Sequence, residues 1–200
     1  MAITINNQTF DITAEQETKL RDALNLNSKR LSDIKIGETF KIADIEFIKF
    51  IDENGITAAV TKNLVFNAKF DNNTNNFAKS SLLNKLKTEV LTKIESAIGS
   101  ENVIEFETNL ISLDGLDDYG YMKSKISLPT FDFYRKYVRI FDRYNVNDWW
   151  WLSTPDSTPT HGISSIVRCV YGGGTLYYNC CFHNFGVRPI LFFKSSIFVS

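Results

Sequence analysis

The last quarter of the chain constrains the fold most, because two apolar blocks there flank a run of aromatic and polar side chains. The first block, residues 149–155, reads WWWLSTP, and the second, residues 186–193, reads GVRPILFF. Both have the aromatic and aliphatic content of buried strands. Between them, three glycines at residues 172–174 indicate a turn, and residues 177–185 read YYNCCFHNF. We expect the two blocks to be framework and the segment between them to be a surface.

The residues before this quarter predict an α+β fold. Period-two alternation predicts antiparallel strands, and polar caps predict helices. The predicted elements are strands at 37–42, 45–51, 56–61, 103–106 and 125–128, a helix from Ser80 to Gly99, and a short helix at 131–138 after Thr130. Strands, helix, strands, short helix and strands follow one another, which is an α+β order.

Residues 1–27 predict a small N-terminal arm. Weak alternation over residues 2–12, interrupted by Asn6 and Asn7, favours a hairpin, and Thr13 with Gln16 forms a capping-box pattern before a helix that reaches about residue 24. Two roles stay open for the arm: a handle that docks onto a larger assembly, or an arm packed on its own domain.

Charge and cysteine usage exclude several classes. The net charge of −1 gives no electrostatic reason to expect nucleic acid or an anionic membrane, and no apolar stretch is long enough to insert into a bilayer. Residues 1–6 carry neither a basic start nor an apolar run, so we expect no signal peptide and synthesis in a cytoplasm. Three cysteines, two of them adjacent, favour free thiols over a disulfide scaffold.

Four segments resemble one family. Residues 36–40 (IGETF), 125–130 (KISLPT), 149–155 and 186–190 (GVRPI) are similar to bacterial and phage domains of unassigned function that share a C-type-lectin-like fold with formylglycine-generating enzymes. The resemblance covers about residues 34–193. It implies a C-type-lectin-like domain over residues 34–200, with antiparallel sheets and two main helices. In such domains the segment between the last two motifs is typically rich in Asn, Ser and Gly, which this chain replaces with aromatic and cysteine side chains.

The departure has a pattern in the genetic code. All nine residues from 177 to 185 belong to Phe, Tyr, His, Asn, Asp and Cys, the amino acids encoded only by codons ending in a pyrimidine, although these make up less than a third of the chain. Scrambled adenines in a row of Asn codons would produce such a run. The resemblance therefore implies a variable protein of a diversity-generating retroelement, with a hypervariable segment at about 157–185. Such a protein is a non-enzymatic receptor- or ligand-binding protein of a phage virion or a bacterial cell.

The expected binding surface consists of side chains that face a protein or cell-surface receptor. It comprises Cys169, Tyr171, Tyr177, Tyr178, Asn179, Cys180, Phe182, His183 and Asn184, joined by Ser157 and His161 from the preceding loop. Aromatic rings supply large contact area with few rotatable bonds, and Asn supplies adaptable hydrogen bonds. The alternative is a buried strand with several of these rings in the core. We expect two of the three tryptophans to be core, Arg188 to be structural and Gly186 to allow close backbone packing.

Other functions need groups that the sequence does not bring together clearly. An oxidase would need a cysteine pair, either Cys180 with Cys181 or Cys169 across a hairpin. A zinc site could use His161, Cys169, Cys180 and His183, but paired short spacings are missing. A Ser–His–Asp hydrolase lacks a nucleophile-elbow pattern. Asp114, Asp117 and Asp118 do not follow calcium-loop spacing, so a solvated acidic loop is expected.

We expect no cofactor and no metal. A structural module of a virion or cell surface is a third alternative. A homo-oligomer is compatible with the sequence.

Overall fold

The computed structural model describes the backbone of residues 2–5, 8–23 and 28–200, and the side chains of residues 8–20 and 28–200. Mostly antiparallel sheets and a few helices make up an α+β fold, as predicted. The predicted turn at Asn6 and Asn7 lies outside the described residues.

The strands are numbered in chain order. They are β1 (Ala2–Ile5), β2 (Gln8–Asp11), β3 (Lys29–Arg30), β4 (Thr39–Ile42), β5 (Ile45–Glu53), β6 (Ile56–Thr61), β7 (Phe66–Lys69), β8 (Val103–Ile104), β9 (Phe106–Asn109), β10 (Tyr121–Ser124), β11 (Ile126–Ser127), β12 (Trp150–Pro155), β13 (Ile166–Val170), β14 (Leu176–Cys180), β15 (Asn184–Val187), β16 (Ile190–Lys194) and β17 (Phe198–Val199). Two sheets hold most of them. The six-stranded sheet has the order β11-β16-β6-β5-β4 with β8 also on β16, and the five-stranded sheet has the order β14-β13-β12-β15-β7.

The helices follow their predicted caps. They are α1 (Ala14–Ala23), α2 (Ser81–Lys85), α3 (Thr92–Ile98), α4 (Phe131–Lys136) and α5 (Val138–Arg143), and a π-helical segment, Leu86–Leu91, joins α2 to α3. Ser80 Oγ accepts a hydrogen bond from the Leu83 N–H, and Gly99 ends the helix at φ 85°. The short helix predicted at 131–138 is wrong in extent. The backbone bends at Tyr137, and α5 continues as a second short helix.

The six-stranded sheet buries both of its faces. Phe47 and Phe193 belong to a core that also contains Leu86 of the π-helical segment, while Ile48 and Ile190 belong to a second core beneath α4 and α5. Neighbouring residues of one strand point to opposite faces, which explains the split.

Strand β12 joins the two cores. Trp150 packs in the second core against Tyr134 and Phe141, and Trp151 packs in the first core against Phe70. Both indoles are buried, which confirms that two of the three tryptophans are core. Trp149, the remaining one, is only half-buried.

Arg188 is a buried structural cation, as expected. Its Nε donates to the Thr61 carbonyl oxygen at 3.0 Å, and its guanidinium lies 5.1 Å from the ring centroid of Trp150 and 5.5 Å from that of Phe141. Burial lowers the pKa of Arg188 to about 10, so the side chain stays charged at neutral pH. The rings and the carbonyl oxygen stabilise a charge with no carboxylate partner in the described part of the chain.

The N-terminal arm contacts the rest of the protein. Thr13 and Gln16 form the predicted capping box with reciprocal hydrogen bonds. Glu17 on α1 is buried and pairs with Arg30 at 3.0 Å. Arg30 also lies over the ring of Phe198, so the ion pair joins the arm to the β3–β17 pair.

Gly186 lies where the five-stranded sheet has no room for a side chain. Its N–H donates to the Trp149 carbonyl oxygen at 2.8 Å. A Cβ at this position would lie 2.5 Å from a methyl group of Leu64 and 2.9 Å from the same carbonyl oxygen. The expected role of Gly186 in tight packing is confirmed.

Gly186→Ala should therefore destabilise the protein, whereas Gly173→Ala should not, because a Cβ on Gly173 would meet Tyr171 at an ordinary 3.8 Å. We expect a loss of about 1–3 kcal/mol in the free energy of unfolding for the first variant and less than about 0.5 kcal/mol for the second. Urea denaturation measures both. Equal stability of the two variants would contradict the packing described at Gly186.

Candidate functional site

The candidate site lies at the open end of the five-stranded sheet. Strands β13 and β14 form a hairpin in which Cys169 pairs with Tyr177 and Arg168 with Tyr178, and Cys169 also pairs with Trp151 of β12. Cross-strand partners share a face. Trp151, Cys169 and Tyr177 therefore lie side by side on one face of the sheet, and Tyr177 is the outermost of the three.

Exposed rings form a continuous row across this end of the sheet. We call the aromatic strip the set Tyr171, Tyr177, Tyr178, Phe182 and His183, which rests on Trp149 and Phe185. Tyr171, Tyr177, Tyr178 and Phe182 are 48%, 49%, 49% and 47% exposed. Exposed side chains of this size, placed side by side, make this strip a candidate contact surface.

Ring contacts connect the whole strip. The centroid of Tyr177 lies 5.2 Å from that of Tyr178 and 5.5 Å from that of Trp149. On the far side of Trp149, the row continues to Phe185 at 5.2 Å and to His183, which is 5.9 Å from Phe185. These separations are those of favourable aromatic pairs.

The strip is anchored in the core through Phe185. The Phe185 ring lies 4.6 Å from the buried ring of Trp151, whose Nε1–H donates to the Ala68 carbonyl oxygen at 3.0 Å. An exposed row on a fixed base loses little conformational entropy when it binds a partner.

The three-glycine turn beside the strip is held by side chains of the helical region. Tyr134 Oη donates to the Gly174 carbonyl oxygen at 2.6 Å, and Asn145 Nδ2 donates to that of Gly172 at 2.7 Å. Burial raises the pKa of Tyr134 to about 12, so its hydroxyl stays a donor at neutral pH. A Cβ on Gly172 would lie 3.1 Å from the backbone of Asn147, which explains the small residue there.

Arg168 is the cation next to the strip. Its guanidinium lies 5.5 Å from the Tyr178 centroid and 5.3 Å from that of Phe131, and its Nη1 pairs with Asp156 at 2.9 Å. The charge is therefore compensated within the protein, so the strip presents rings rather than a charged patch.

A second cluster forms where two loops meet at Asp114. Its carboxylate accepts hydrogen bonds from Ser112 and Ser157, the latter at 2.6 Å, and lies 2.9 Å from His161 Nδ1. The hydroxyls of Ser112 and Ser157, and then the imidazole, hold the pKa of Asp114 well below its usual range. Asp118 similarly accepts from the backbone N–H and the hydroxyl of Thr160. Both carboxylates are exposed, as expected of a solvated acidic loop, and each is also held by hydrogen bonds from neighbouring residues.

Asn75 ties a third loop to this cluster. The side chain is fully buried, and its Nδ2 donates to the carbonyl oxygens of Ser157 and Ile166 at 2.8 and 2.9 Å. Tyr119 Oη donates to the Asn75 Oδ1 at 2.7 Å. These hydrogen bonds of Asn75 therefore hold the loop that contains His161.

Two of the predicted surface residues are buried, which corrects the expectation for them. Cys169 lies in the first core because it shares a face with Trp151, and Ser157 is turned inward by its hydrogen bond to Asp114. The other predicted side chains are at least partly accessible. Tyr171, Tyr177, Tyr178, Phe182, His183, Asn184 and His161 are exposed, and Asn179 and Cys180 are half-buried.

His161 lies in the loop cluster rather than in the ring row, since its side chain contacts Asp114. The strip also depends on residues that sequence reasoning did not assign to the site. The sequence indicates Trp149, because a strand with three adjacent tryptophans cannot bury all of them on one face. No local pattern indicates that Phe185 supports the exposed rings.

The cysteines do not pair across the hairpin. Cys169 is opposite Tyr177, whereas Cys180 is opposite Ile166. Burial raises the pKa of Cys169 to about 12, and burial, followed by the neighbouring Asp71, raises that of the Cys181 thiol. All three thiols are free. The thiols of Cys169 and Cys181 are therefore protected from reaction. The strand register does not bring two cysteines together across this hairpin, as the oxidase alternative would require.

Among residues 8–20 and 28–200, no group of three His, Cys, Asp or Glu side chains is placed to hold a metal ion. No helix in the described part of the chain is long and apolar enough to cross a bilayer.

Comparison with known proteins gives one match. A family model described as a domain of unknown function, DUF6273, matches residues 99–195. The matched segment, just under half of the chain, includes the aromatic strip and the loop cluster, and it is similar to a domain of unassigned function as the sequence resemblance implied. No curated protein and no solved structure matches the chain.

Native protein should react rapidly with a maleimide at one cysteine, Cys180, because the other two thiols are buried and protonated. Mass spectrometry after labelling measures the number and position of adducts. Cys180→Ser should abolish the fast adduct and Cys169→Ser should leave it, while denaturant should expose all three thiols. Rapid native labelling of two cysteines would contradict the burial described here.

Asp114→Asn should lower the thermal midpoint at neutral pH, and this difference from the wild type should shrink on acidification. The folded-state pKa of Asp114 is depressed, so its stabilisation is present above the unfolded-state value of about 4 and is lost as the pH falls below it. Thermal unfolding from neutral to acidic pH measures the effect. Asp117→Asn is the control, since that carboxylate accepts none of the hydrogen bonds made by Asp114, and a pH-independent effect of Asp114→Asn would refute the assignment.

Proposed function

We propose that this chain is a non-enzymatic display protein whose C-type-lectin-like domain, residues 34–200, binds a protein or cell-surface receptor. Its binding surface is diversified by a retroelement within about residues 157–185, and the protein acts on a phage virion or a bacterial cell. One observation carries the proposal: the run of pyrimidine-codon residues coincides with the exposed aromatic strip. Of its nine members, Tyr177, Tyr178, Phe182, His183 and Asn184 are exposed, Asn179 and Cys180 are half-buried, and Cys181 and Phe185 point inward.

The residue types of the strip support recognition rather than catalysis. Tyrosine and phenylalanine bury large areas at low entropic cost, which is why binding surfaces of antibodies favour them. Rings that lie together near the middle of a contact area act as hot spots. Neither imidazole is aligned with a nucleophile, because His161 is held by Asp114 at a separate loop and the His183 ring contacts Phe182 and Phe185.

The framework makes few demands on the exposed side chains, which supports diversification. The ladder between β13 and β14 joins backbone groups, and the glycine turn is held by Tyr134 and Asn145 from outside the variable segment. Replacing an exposed ring leaves these contacts in place. A segment whose fold depends on its backbone can accept many sequences.

The packing of the two framework motifs supports the C-type-lectin-like assignment. Trp150, from the first motif, pairs in parallel with Gly186 of the second, and Arg188 lies over the Trp150 ring. The two segments that carry the resemblance are therefore in contact, on either side of the variable run in the sequence.

Sequencing the gene and its flanking DNA from many members of one bacterial or phage population tests the proposal. We expect a near-identical repeat beside a reverse transcriptase gene, with adenines at the codons of the exposed residues. Variation should fall on Tyr171, Tyr177, Tyr178, Asn179, Phe182, His183 and Asn184 and should spare the inward-facing Cys169, Cys181 and Phe185. Trp149, Gly186 and Arg188 serve as framework controls. An invariant strip with no repeat would overturn the proposal.

A further inference from the structure

The outer edge of β14 carries backbone groups without partners. In the described part of the chain β14 pairs only with β13, and the ladder is bounded by hydrogen bonds from Tyr171 N–H to the Thr175 oxygen and from Cys181 N–H to the Ser165 oxygen. Hydrogen-bonded pairs alternate along an antiparallel ladder. Residues 177 and 179 therefore direct their backbone groups towards β13, and residues 176, 178 and 180 direct theirs outward.

Two of the outward-facing residues remain open. The Cys180 N–H donates to Asn179 Oδ1 at 2.9 Å, and its carbonyl oxygen accepts from the His183 N–H at 3.0 Å. No described residue provides such a partner for Leu176 or Tyr178 on this side. Each of these two presents one N–H and one C=O along the edge, which is the pattern that a further strand requires.

Two other sheet edges, at β7 and at β4, are covered. At the far end of the same sheet, the α2 side chain Lys85 lies 4.3 Å from the ring of Phe66, and the Leu82 N–H donates to the Phe70 oxygen just beyond β7. At the edge of the six-stranded sheet, Lys41 of β4 exchanges backbone hydrogen bonds with Ser200. Strand β14 has no lysine, proline or bulge, which are devices that protect free edges.

We propose that β14 receives an extended polypeptide segment of the bound partner as an added strand, an inference that rests on the proposed function. Leu176 and Tyr178 supply the main-chain hydrogen bonds. Tyr177 lies beside Trp149 and offers an apolar surface to alternate side chains of that segment. An uncharged edge flanked by exposed rings fits a segment whose residues on this face are apolar.

This arrangement divides affinity from specificity. Main-chain hydrogen bonds do not depend on which side chains diversification places on β14, so every variant retains the docking edge. The rings of the strip then distinguish one segment from another. Strand addition works in this way in general, with backbone bonds giving affinity and side-chain pockets giving selectivity.

The test uses linear peptides selected from a displayed random library against the immobilised full chain. Tyr178→Ala and Tyr178→Pro both remove the ring, but only proline removes the outward N–H, which the ladder to β13 does not use. We expect the selected peptide to bind Tyr178→Pro about tenfold more weakly than Tyr178→Ala. Thermal unfolding of both variants checks that they fold, and calorimetry measures the affinities.

Hydrogen exchange of the wild type provides a readout that does not depend on the variants. Bound peptide should slow exchange at the amides of Leu176 and Tyr178 more than at Tyr177 and Asn179, which the ladder already protects. Equal binding to both variants without that protection would overturn strand addition and leave ring-based recognition intact. Failure to select any peptide would also overturn strand addition by a partner. So would a wild-type dimer that Tyr178→Pro abolishes, because a second copy of the chain would then occupy the edge. The proposed function stands or falls separately, on the variation found in the population.

Discussion

The structure depends on one strand that buries large side chains in opposite directions. Trp150 and Trp151 of β12 are adjacent, so the pleat places one indole in each core. Burying an aromatic side chain of this size removes about 150–250 Å² from water, more than most other residues can contribute. Since β13 and β15 both pair with β12, the position of the candidate surface is fixed by these two rings.

The same strand supports the exposed surface from the core, although that surface lies at the end of a sheet. Trp151 contacts Phe185, Phe185 stacks on Trp149, and the exposed rings follow from there. Each contact contributes only about 0.5–1.5 kcal/mol beyond burial, but the row starts from a fully buried side chain. The buried Trp151 therefore supports the exposed rings. On the opposite face of β12, Trp150 packs against the guanidinium of Arg188.

Much of the framework could be predicted from the sequence because its signals are local. Alternation gave the hairpins of β4 to β6, and the caps at Ser80 and Gly99 bounded the longest helical stretch. The errors in the site are non-local. Ser157 turns inward for Asp114, 43 residues earlier, and no spacing rule encodes that contact. Cys169 is buried because its register with Trp151 of β12 places it on the face that packs in the first core, and no local pattern encodes that pairing.

In the proposed function, recognition through this surface relies on shape and desolvation, since the net charge of the chain is close to zero. The chain has a net charge of −1, and Arg168, the cation beside the strip, is already paired with Asp156. Long-range electrostatic steering of the proposed partner would therefore be weak. Affinity must come from rings that leave water and from backbone groups that gain partners. These two contributions are compatible with a changing surface, because neither depends on keeping a particular charged residue in place.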